Sequence, residues 1–230
     1  MDQPAADEPS ASLSDRPVRR RRLVAIVPVG SLDGAKSRLG ETLDAEERRD
    51  LVVRLLRRTI VATTRSPLIE ETLVVTPDDE VRRIALEAGA RPLRQRDGGL
   101  ISGLELARAE AVAGGAEAIL VLPIDLPLVS PEAIASIVEP LLGDLADRNT
   151  PLVVLVPDRH GRGTNALLLA PPAAIEFCFG GDSRAAHASN ARASGAHLVE
   201  LTDGPLSLDL DTPEDLLLVE RLVPELVGAA

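Results

Sequence analysis

Aromatic and sulfur-containing side chains are scarce in this chain. Its 230 residues include no Trp, no Tyr, two Phe, one Met and a single cysteine, Cys178. One cysteine excludes an internal disulfide and a cysteine pair for zinc, so we expect a reducing, cytoplasmic location. With so few rings to stack on a base, a purine pocket has to consist of backbone polar groups, arginine planes and aliphatic side chains.

Net positive charge and long apolar runs are also missing. The formal charge is −11 and the isoelectric point is about 4.8. Proteins that bind nucleic acid concentrate positive charge on one face, so we expect no nucleic-acid partner. No apolar stretch is long enough to cross a bilayer, so we expect no membrane association.

The length and the charge distribution predict one folded domain after a tail. A chain of 230 residues is long enough for one well-buried domain and short for two. Residues 1–22 are acidic, rich in Pro, Ser and Ala, and end in a run of arginines. We interpret them as a disordered tail, or as the product of an upstream start codon included in error. Residues 23–230 form the predicted domain.

Strand and helix patterns alternate along that domain. Continuous apolar runs bounded by Pro or Gly, such as LVAIVPV at 23–29, predict strands buried on both faces. Between these runs, apolar residues at helical spacing follow capping residues such as Asp44 and Thr212, and Asp215 is interpreted as a first-turn helix charge. The alternation predicts an α/β fold with a mixed, mostly parallel sheet and helices on both faces. Ligands of such sheets bind beyond the carboxyl ends of the strands.

Three aspartates lie at predicted strand ends. Asp125 follows a strand in LPIDLP, and the next two belong to LSLDLD. The latter is predicted as a strand whose alternation sends Ser207, Asp209 and Asp211 to one face. Carboxylates about 7 Å apart repel each other unless a cation lies between them, and an all-oxygen ligand set suits Mg²⁺. The alternative is an edge strand whose aspartates serve solubility.

Two glycine-rich stretches predict an anion site. Arg159 and Arg162 lie in DRHGRGTN, and a helix begins at 182 or 183 in FGGDSRAAH. Hydroxyl, guanidinium and backbone N–H groups there could hold a small anion, and His187, one turn into the helix, could touch it. The alternative is an ordinary glycine loop with a serine N-cap. Neither a Ser-His-Asp nor a Cys-His arrangement suggests itself, so covalent catalysis is not expected.

Five stretches together resemble a known family. They are AKSRL at 35–39, LPIDLP at 122–127, GTNALLL at 163–169, FGGDS with its following histidine at 179–187, and LDLDTPEDL at 208–216. In this order they resemble the guanylyltransferases of coenzyme F420 biosynthesis, the family that includes the 2-phospho-L-lactate and phosphoenolpyruvate guanylyltransferases. The resemblance implies a single nucleotidyltransferase domain of the GT-A, Rossmann-like type.

The resemblance also implies a reaction and its residues. The implied Mg²⁺ ligands, which also act in catalysis, are Asp125, Asp209 and Asp211. The implied binding residues for a phosphorylated three-carbon acid are Thr164, Gly180 and Ser183. The reaction would join GMP from GTP to the phosphate of phosphoenolpyruvate and release pyrophosphate. The product would pass to the next enzyme of F420 assembly.

The single lysine lies in the first of these stretches. We interpret Lys36 and Arg38 as GTP-binding, and Lys36 also as catalytic, because a compact ammonium fits among phosphates better than a guanidinium. The alternative is a solvated loop charge. Two positions depart from the family pattern: relatives commonly have a second lysine where this chain has Gly30, and many have asparagine where it has Ile101. These departures leave the donor open between GTP and another nucleoside triphosphate.

The acceptor and the reaction class have alternatives. The arginine-dominated composition suggests a GC-rich bacterium, and bacterial relatives use phosphoenolpyruvate; 2-phospho-L-lactate and 3-phosphoglycerate stay open. A GT-A glycosyltransferase would share the fold, but its D-x-D would stand near mid-chain, where this sequence has DLP at 125–127. A non-catalytic nucleotide-binding module is a third reading, which the intact aspartates disfavour.

Overall fold

The computed structural model describes residues 21–96, 98–143 and 149–228. The predicted tail therefore lies outside the described residues, apart from its last two. Arg22 already belongs to the folded domain, because its carbonyl accepts hydrogen bonds from the backbone N–H groups of Glu117 and Ala118 at 2.9 and 3.1 Å. Within the described ranges, no helix combines the length and the apolar character that crossing a membrane requires.

Strands and helices alternate along the described chain as predicted. The strands are β1 (Leu23–Pro28), β2 (Glu71–Thr76), β3 (Arg91–Arg94), β4 (Ala118–Val121), β5 (Leu152–Pro157), β6 (Thr164–Ala170) and β7 (His197–Glu200). The helices are α1 (Ala45–Arg65), α2 (Asp79–Glu87), α3 (Leu100–Ala113), α4 (Pro131–Leu142), α5 (Ser183–Ala193), α6 (Pro213–Leu222) and α7 (Pro224–Val227). Two short 3₁₀ turns cover Ser37–Leu39 and Pro205–Ser207.

The strands form one sheet in the order β3-β2-β1-β4-β6-β5-β7. β6 runs antiparallel to its neighbours β4 and β5, and the other pairs are parallel. The predicted mixed, mostly parallel sheet is confirmed. Because β6 is reversed, its first residue lies at the same edge as the carboxyl ends of β1, β4 and β5.

Alternate strand residues face two different helical layers. On one face, Leu120 and Val154 pack with α4, and Val74 packs with α1 and α2. On the other face, Ile119 and Val153 pack with α3 and α5. Burial of apolar residues on both sides is what a mostly parallel sheet requires, and it accounts for the continuous apolar runs in the sequence.

A further apolar cluster lies at the carboxyl edge of the sheet. It joins α1 and α6 to Leu39, Leu208 and Leu210. The three leucines lie in the segments that carry the candidate site residues. Their burial anchors those segments, since removing a buried leucine side chain costs about 2–5 kcal/mol.

Two local predictions were wrong. The segment 206–211 is not a strand: it begins with the 3₁₀ turn and continues without a sheet partner, and Ser207 is buried rather than sharing a face with the aspartates. The edge strand β3 was missed, because RPLR has two exposed arginines and no apolar run. The predicted caps are confirmed, since Asp44 and Thr212 each complete a capping box with the residue three positions on.

Candidate active site

Asp125 lies in the loop that follows β4. Leu126 beside it is fully buried and holds the loop against the core. The carbonyl of Asp125 accepts a hydrogen bond from the N–H of Leu210 at 2.9 Å. This bond ties the β4 loop to the 206–211 segment, so Asp125, Asp209 and Asp211 lie at one edge of the sheet although more than 80 residues separate them in sequence.

Lys36 lies among these aspartates. Its Nζ is 2.7 Å from Oδ1 of Asp211 and 3.8 Å from Oδ2 of Asp125. Only 11% of its side chain is exposed, which contradicts the interpretation as a solvated loop charge. Lys36 has φ = 54°, in the left-handed region that residues other than glycine rarely adopt. We call Lys36, Asp125, Asp209 and Asp211 the carboxylate site.

The loop that carries Lys36 is fixed to α2. Asp78 is the N-cap of that helix and accepts hydrogen bonds from the N–H groups of Glu80 and Val81. Its second carboxylate oxygen accepts a bond from the N–H of Leu32 at 3.1 Å. Partial burial opposes ionisation of Asp78, but these backbone donors lower the pKa of its carboxyl. One ionised side chain therefore both starts α2 and positions the lysine loop.

The electrostatics of the carboxylate site call for a cation. Burial raises the pKa of Asp125, and the charge of Asp211 raises it further while Lys36 opposes both effects. Burial and the charges of Asp125 and Asp211 raise the pKa of Asp209 as well. Burial and nearby carboxylates thus disfavour ionisation of Asp125 and Asp209, and the ammonium of Lys36 offsets only part of that effect on Asp125.

The site does not form a closed metal cage. Within the described part of the chain, no three His, Cys, Asp or Glu side chains are arranged to hold a metal ion. Mg²⁺ does not need such a cage, since it binds through one or two carboxylates and takes its other ligands from water and substrate phosphates. The hard oxygen donors of the carboxylate site fit that requirement. Magnesium binding there stays a prediction.

Arg38 lies at the outer rim of the carboxylate site. Its guanidinium is 3.9 Å from Oδ2 of Asp211, and 76% of its side chain is exposed. At that exposure an ion pair adds little stability. The side chain is available to an incoming anion, and its role in nucleotide binding stays a prediction.

Asp215 positions Asp211 through a hydrogen bond to its backbone. Its Oδ2 accepts hydrogen bonds from the N–H groups of Asp211 and Thr212, at 3.0 and 2.8 Å. Its other carboxylate oxygen forms an ion pair with Arg159, and only 4% of its side chain is exposed. The interpretation of Asp215 as a first-turn charge was therefore incomplete. Arg159, predicted to hold an anion, instead forms an ion pair with Asp215.

The predicted acid-binding residues converge next to the carboxylate site. We call Thr164, Gly180 and Ser183 the acid site. His187 contacts both Thr164 and the N–H of Cys178, two residues before Gly180, and Asn165, which follows Thr164, hydrogen-bonds to Asp209 of the carboxylate site. Gly180 has φ = 132°, a conformation open to glycine, and its carbonyl accepts a bond from the N–H of Ser183 at 3.0 Å.

Asn165 joins the two sites and was not singled out from the sequence. Its Nδ2 donates to the carbonyl of Leu206 at 3.0 Å, and its side chain hydrogen-bonds to Asp209, which counteracts the raised pKa of that aspartate. Only 6% of it is exposed. The available signal was a polar amide at the start of an otherwise apolar strand, where an unpaired amide would be costly.

His187 lies behind the acid site and does not face the anion. It is fully buried, its Nδ1 is 3.0 Å from Oγ1 of Thr164, and its Nε2 accepts a bond from the N–H of Cys178 at 2.9 Å. Burial lowers its pKa to about 4, so the imidazole is neutral at pH 7. The expectation that His187 touches the anion directly was wrong. Arg162 is exposed and pairs with Asp182 at 3.2 Å.

Comparisons with known proteins identify the family of this chain. The family profile described as "Guanylyl transferase CofC like" matches residues 23–221. A phosphoenolpyruvate guanylyltransferase from Sphaerobacter thermophilus is 42% identical over 193 residues, which cover 84% of this chain and 90% of that protein. A 2-phospho-L-lactate guanylyltransferase from Methanocaldococcus vulcanius is 31% identical over 196 residues, covering 84% of this chain and 82% of that protein.

Solved structures agree on the fold. A nucleotidyl transferase from Methanothermobacter thermautotroptrophicus superposes with a TM-score of 0.62 at 18% identity, over 90% of this chain and 98% of that chain. At this identity the likeness concerns the fold alone, and it agrees with the predicted α/β fold with a mixed, mostly parallel sheet. The profile match spans most of the described domain, from β1 into α6. This chain belongs to the family of CofC-like guanylyl transferases.

Proposed function

We propose that the protein transfers a guanylyl group from GTP to the phosphate of phosphoenolpyruvate and releases pyrophosphate. The observation that carries this proposal is the position of Lys36 within 4 Å of Asp125 and Asp211, at the sheet edge where the acid site begins. A guanylyl transfer brings two polyanions together, and this edge supplies both a positive charge and hard oxygen donors.

The proposed reaction is a displacement at phosphorus. An oxygen of the acid's phosphate attacks the α-phosphorus of GTP. The bond between that phosphorus and the oxygen bridging to the β-phosphate breaks, and pyrophosphate leaves with the bonding electrons. The attacking phosphate is ionised at neutral pH, so the protein does not have to remove a proton from it.

The chain's own residues would position and screen the two substrates. The ammonium of Lys36 would shift from the carboxylates toward the triphosphate, where a compact charge is most effective. Thr164, Ser183 and the backbone at Gly180 would hold the acid at the start of β6 and α5. Positioning of this kind supplies much of the rate acceleration in phosphoryl and nucleotidyl transfer.

Magnesium would be held by Asp125, Asp209 and Asp211. The raised pKa values of Asp125 and Asp209 support this proposal, because burial and, to a smaller extent, neighbouring carboxylates disfavour their ionised forms, which a bound divalent cation would stabilise. When bound, Mg²⁺ would neutralise charge on the triphosphate and polarise the reacting phosphate.

The choice of acceptor rests on the relatives. Phosphoenolpyruvate is favoured because the 42% identical relative is named for it. The archaeal relative named for 2-phospho-L-lactate keeps that acid as the second candidate. The product, a mixed anhydride of the acid's phosphate and GMP, is an activated species, so its consumer would be an enzyme that displaces GMP. We propose that this is the next enzyme of F420 assembly.

A substrate matrix tests the proposal. Each of the four nucleoside triphosphates is incubated with phosphoenolpyruvate, 2-phospho-L-lactate or 3-phosphoglycerate and Mg²⁺, and products are identified by mass spectrometry alongside pyrophosphate release. We expect turnover with GTP and phosphoenolpyruvate, and none for an Asp211→Asn control. Tight Mg²⁺-dependent nucleotide binding without turnover for any acid would instead identify a non-catalytic binding module, and sugar transfer from a nucleotide sugar would identify a glycosyltransferase.

A further inference from the structure

His187 links two parts of the acid site from the interior of the protein. Its Nδ1 contacts Oγ1 of Thr164 at 3.0 Å, and its Nε2 contacts the N–H of Cys178 at 2.9 Å. The ring is fully buried, and the edge of Phe179 packs against it with ring centroids 4.9 Å apart. The imidazole therefore cannot leave this position without disturbing the segment that leads to Gly180.

The two contacts define where the imidazole proton lies. A backbone N–H can only donate, so Nε2 of His187 must offer its lone pair to Cys178. A neutral imidazole carries one proton, which then lies on Nδ1 and is donated to Oγ1 of Thr164. An imidazolium would place a second N–H against the N–H of Cys178, and burial without a counter-charge excludes that form at neutral pH.

The hydroxyl of Thr164 is oriented as a result. Its oxygen accepts the proton of His187, so its own hydrogen points away from the ring. Thr164 begins β6 at the sheet edge, and only 8% of it is exposed, so few directions remain for that hydrogen. A hydroxyl aimed in this way donates to an anionic ligand without first having to reorient, which lowers the cost of binding.

We propose that His187 is a positioning residue for the acceptor acid: it fixes the hydroxyl of Thr164 as a donor toward the acid and holds the 178–180 segment in place. This inference rests on the proposed function, because it assigns the acid site to the phosphorylated acid. It goes further by naming a residue that does not touch substrate and that sets the affinity for the acid but not for the nucleotide.

Two conservative variants separate the two hydrogen bonds. In His187→Asn, the amide NH₂ replaces Nδ1 and retains the donor to Thr164. In His187→Gln, the amide reaches the position of Nε2 and retains the acceptor for Cys178 but loses the donor to Thr164. We expect His187→Gln to raise the KM for the acid about tenfold, because a Thr164 hydroxyl that is no longer fixed loses much of its hydrogen bond to the charged acid, while the KM for GTP stays within about twofold. His187→Asn should lie closer to the wild type.

A double-mutant cycle with Thr164→Val tests whether His187 acts through the hydroxyl. If it does, His187→Gln adds little to the KM for the acid once the hydroxyl is absent. Equal effects of His187→Gln in the wild type and in the Thr164→Val background would overturn the proposal. Thermal unfolding of each variant separates a loss of folded protein from a loss of acid affinity.

A readout independent of activity is the tautomer itself. Long-range ¹H–¹⁵N NMR of histidine-labelled protein at pH 7 should show one imidazole protonated on Nδ1, and this signal should vanish in His187→Gln. If the ring signal that vanishes in His187→Gln instead comes from an imidazole protonated on Nε2, the inference is overturned. If the wild type turns over with no phosphorylated acid, the proposed function fails and this inference fails with it. Turnover with an unchanged acid KM in His187→Gln would overturn this inference alone.

Discussion

Lys36 is the residue whose position says most about the chemistry, because its ammonium lies 2.7 Å from Asp211 and its loop adopts a left-handed backbone to place it there. We predict that Lys36→Met raises the KM for GTP or lowers kcat by about tenfold or more, which corresponds to about 1.4 kcal/mol. Steady-state kinetics with varied GTP measures this change.

Substitutions of two arginines at increasing distance from the carboxylate site serve as controls for Lys36→Met. Arg38→Met should have a smaller effect, since its guanidinium is 3.9 Å from Asp211 and mostly exposed. Arg65→Met, at the far end of α1, should leave the kinetics unchanged. An unaltered Lys36→Met enzyme would show that the lysine serves only to neutralise Asp211.

We expect the carboxylate of Asp209 to destabilise the folded, metal-free protein at neutral pH, although activity depends on it. Burial and the charges of Asp125 and Asp211 raise the pKa of its carboxyl, so the folded state binds this proton more tightly than the unfolded state. Stability of the metal-free protein is therefore lost as the pH rises from about 3.8 through the raised pKa. We predict that Asp209→Asn raises Tm at pH 7 without metal and lowers activity about a hundredfold.

Thermal unfolding with and without Mg²⁺ checks this prediction. The Tm advantage of Asp209→Asn should grow from pH 4 upward and shrink when Mg²⁺ and GTP are added, because the cation removes the repulsion in the wild type. A lower Tm for Asp209→Asn at pH 7 without metal would mean that the hydrogen bond with Asn165 outweighs the repulsion.

At the scale of elements, the spacing of apolar residues predicted most strands and helices. It also predicted that the site would lie at the edge of the sheet where the parallel strands end. The runs that became β1, β4 and β5 were readable because residues buried on both faces leave a continuous apolar pattern. Segment 206–211 was misread because its buried leucines alternate as in a strand. Leu208 and Leu210 instead pack into the α1–α6 cluster, Leu206 packs with the α4 cluster, and the segment has no sheet partner. The spacing of apolar residues in a sequence indicates which side chains are buried. It does not indicate which backbone groups form hydrogen bonds with each other.

The position of the loop between β1 and α1 depends on the N-cap residue of α2. Asp78 starts α2 and also accepts from the N–H of Leu32, so we predict that Asp78→Ala costs about 1–2 kcal/mol of stability and raises the KM for GTP severalfold. Asp44→Ala removes the comparable cap of α1 and is the matched control. Equal nucleotide affinity in the two variants would contradict a role for Asp78 in positioning the lysine loop.

The turn before β6 should also control the acid site. Asp158 accepts bonds from the N–H groups of Arg162 and Gly163, and a Cβ on Gly163 would lie 2.7 Å from its carboxylate. We predict that Gly163→Ala costs about 1–3 kcal/mol and raises the KM for the acid severalfold by shifting Thr164. Gly204→Ala, where a Cβ meets open space, is the control, and identical acid kinetics in both would contradict this effect.

Contacts between residues that are distant in the chain could not be predicted from the sequence, because they depend on the complete fold. Lys36, Asp125 and Asp211 lie far apart in the chain, and their contacts depend on β1 and β4 being neighbours in the sheet. The sequence pointed to each residue by a different signal: Lys36 is the single lysine of the chain, Asp125 follows a predicted strand, and Asp211 lies in the alternating segment LSLDLD. The ion pair between Arg159 and Asp215 was not predictable, since it needs the β5–β6 turn to lie against α6.

We expect His187, which lies behind the acid site, to make the stability of the folded protein depend on pH. Its pKa falls from 6.5 to about 4 on folding, so the unfolded state binds more protons between these values, and stability is lost as pH falls from about 6.5 to 4. The loss is on the order of 3 kcal/mol. Thermal unfolding from pH 4.5 to 7.5 should show a flatter profile for His187→Gln than for the wild type, whereas His197→Gln, at an exposed position, should follow the wild type. Parallel profiles for all three would mean that His187 stays solvated and cannot fix the hydroxyl of Thr164.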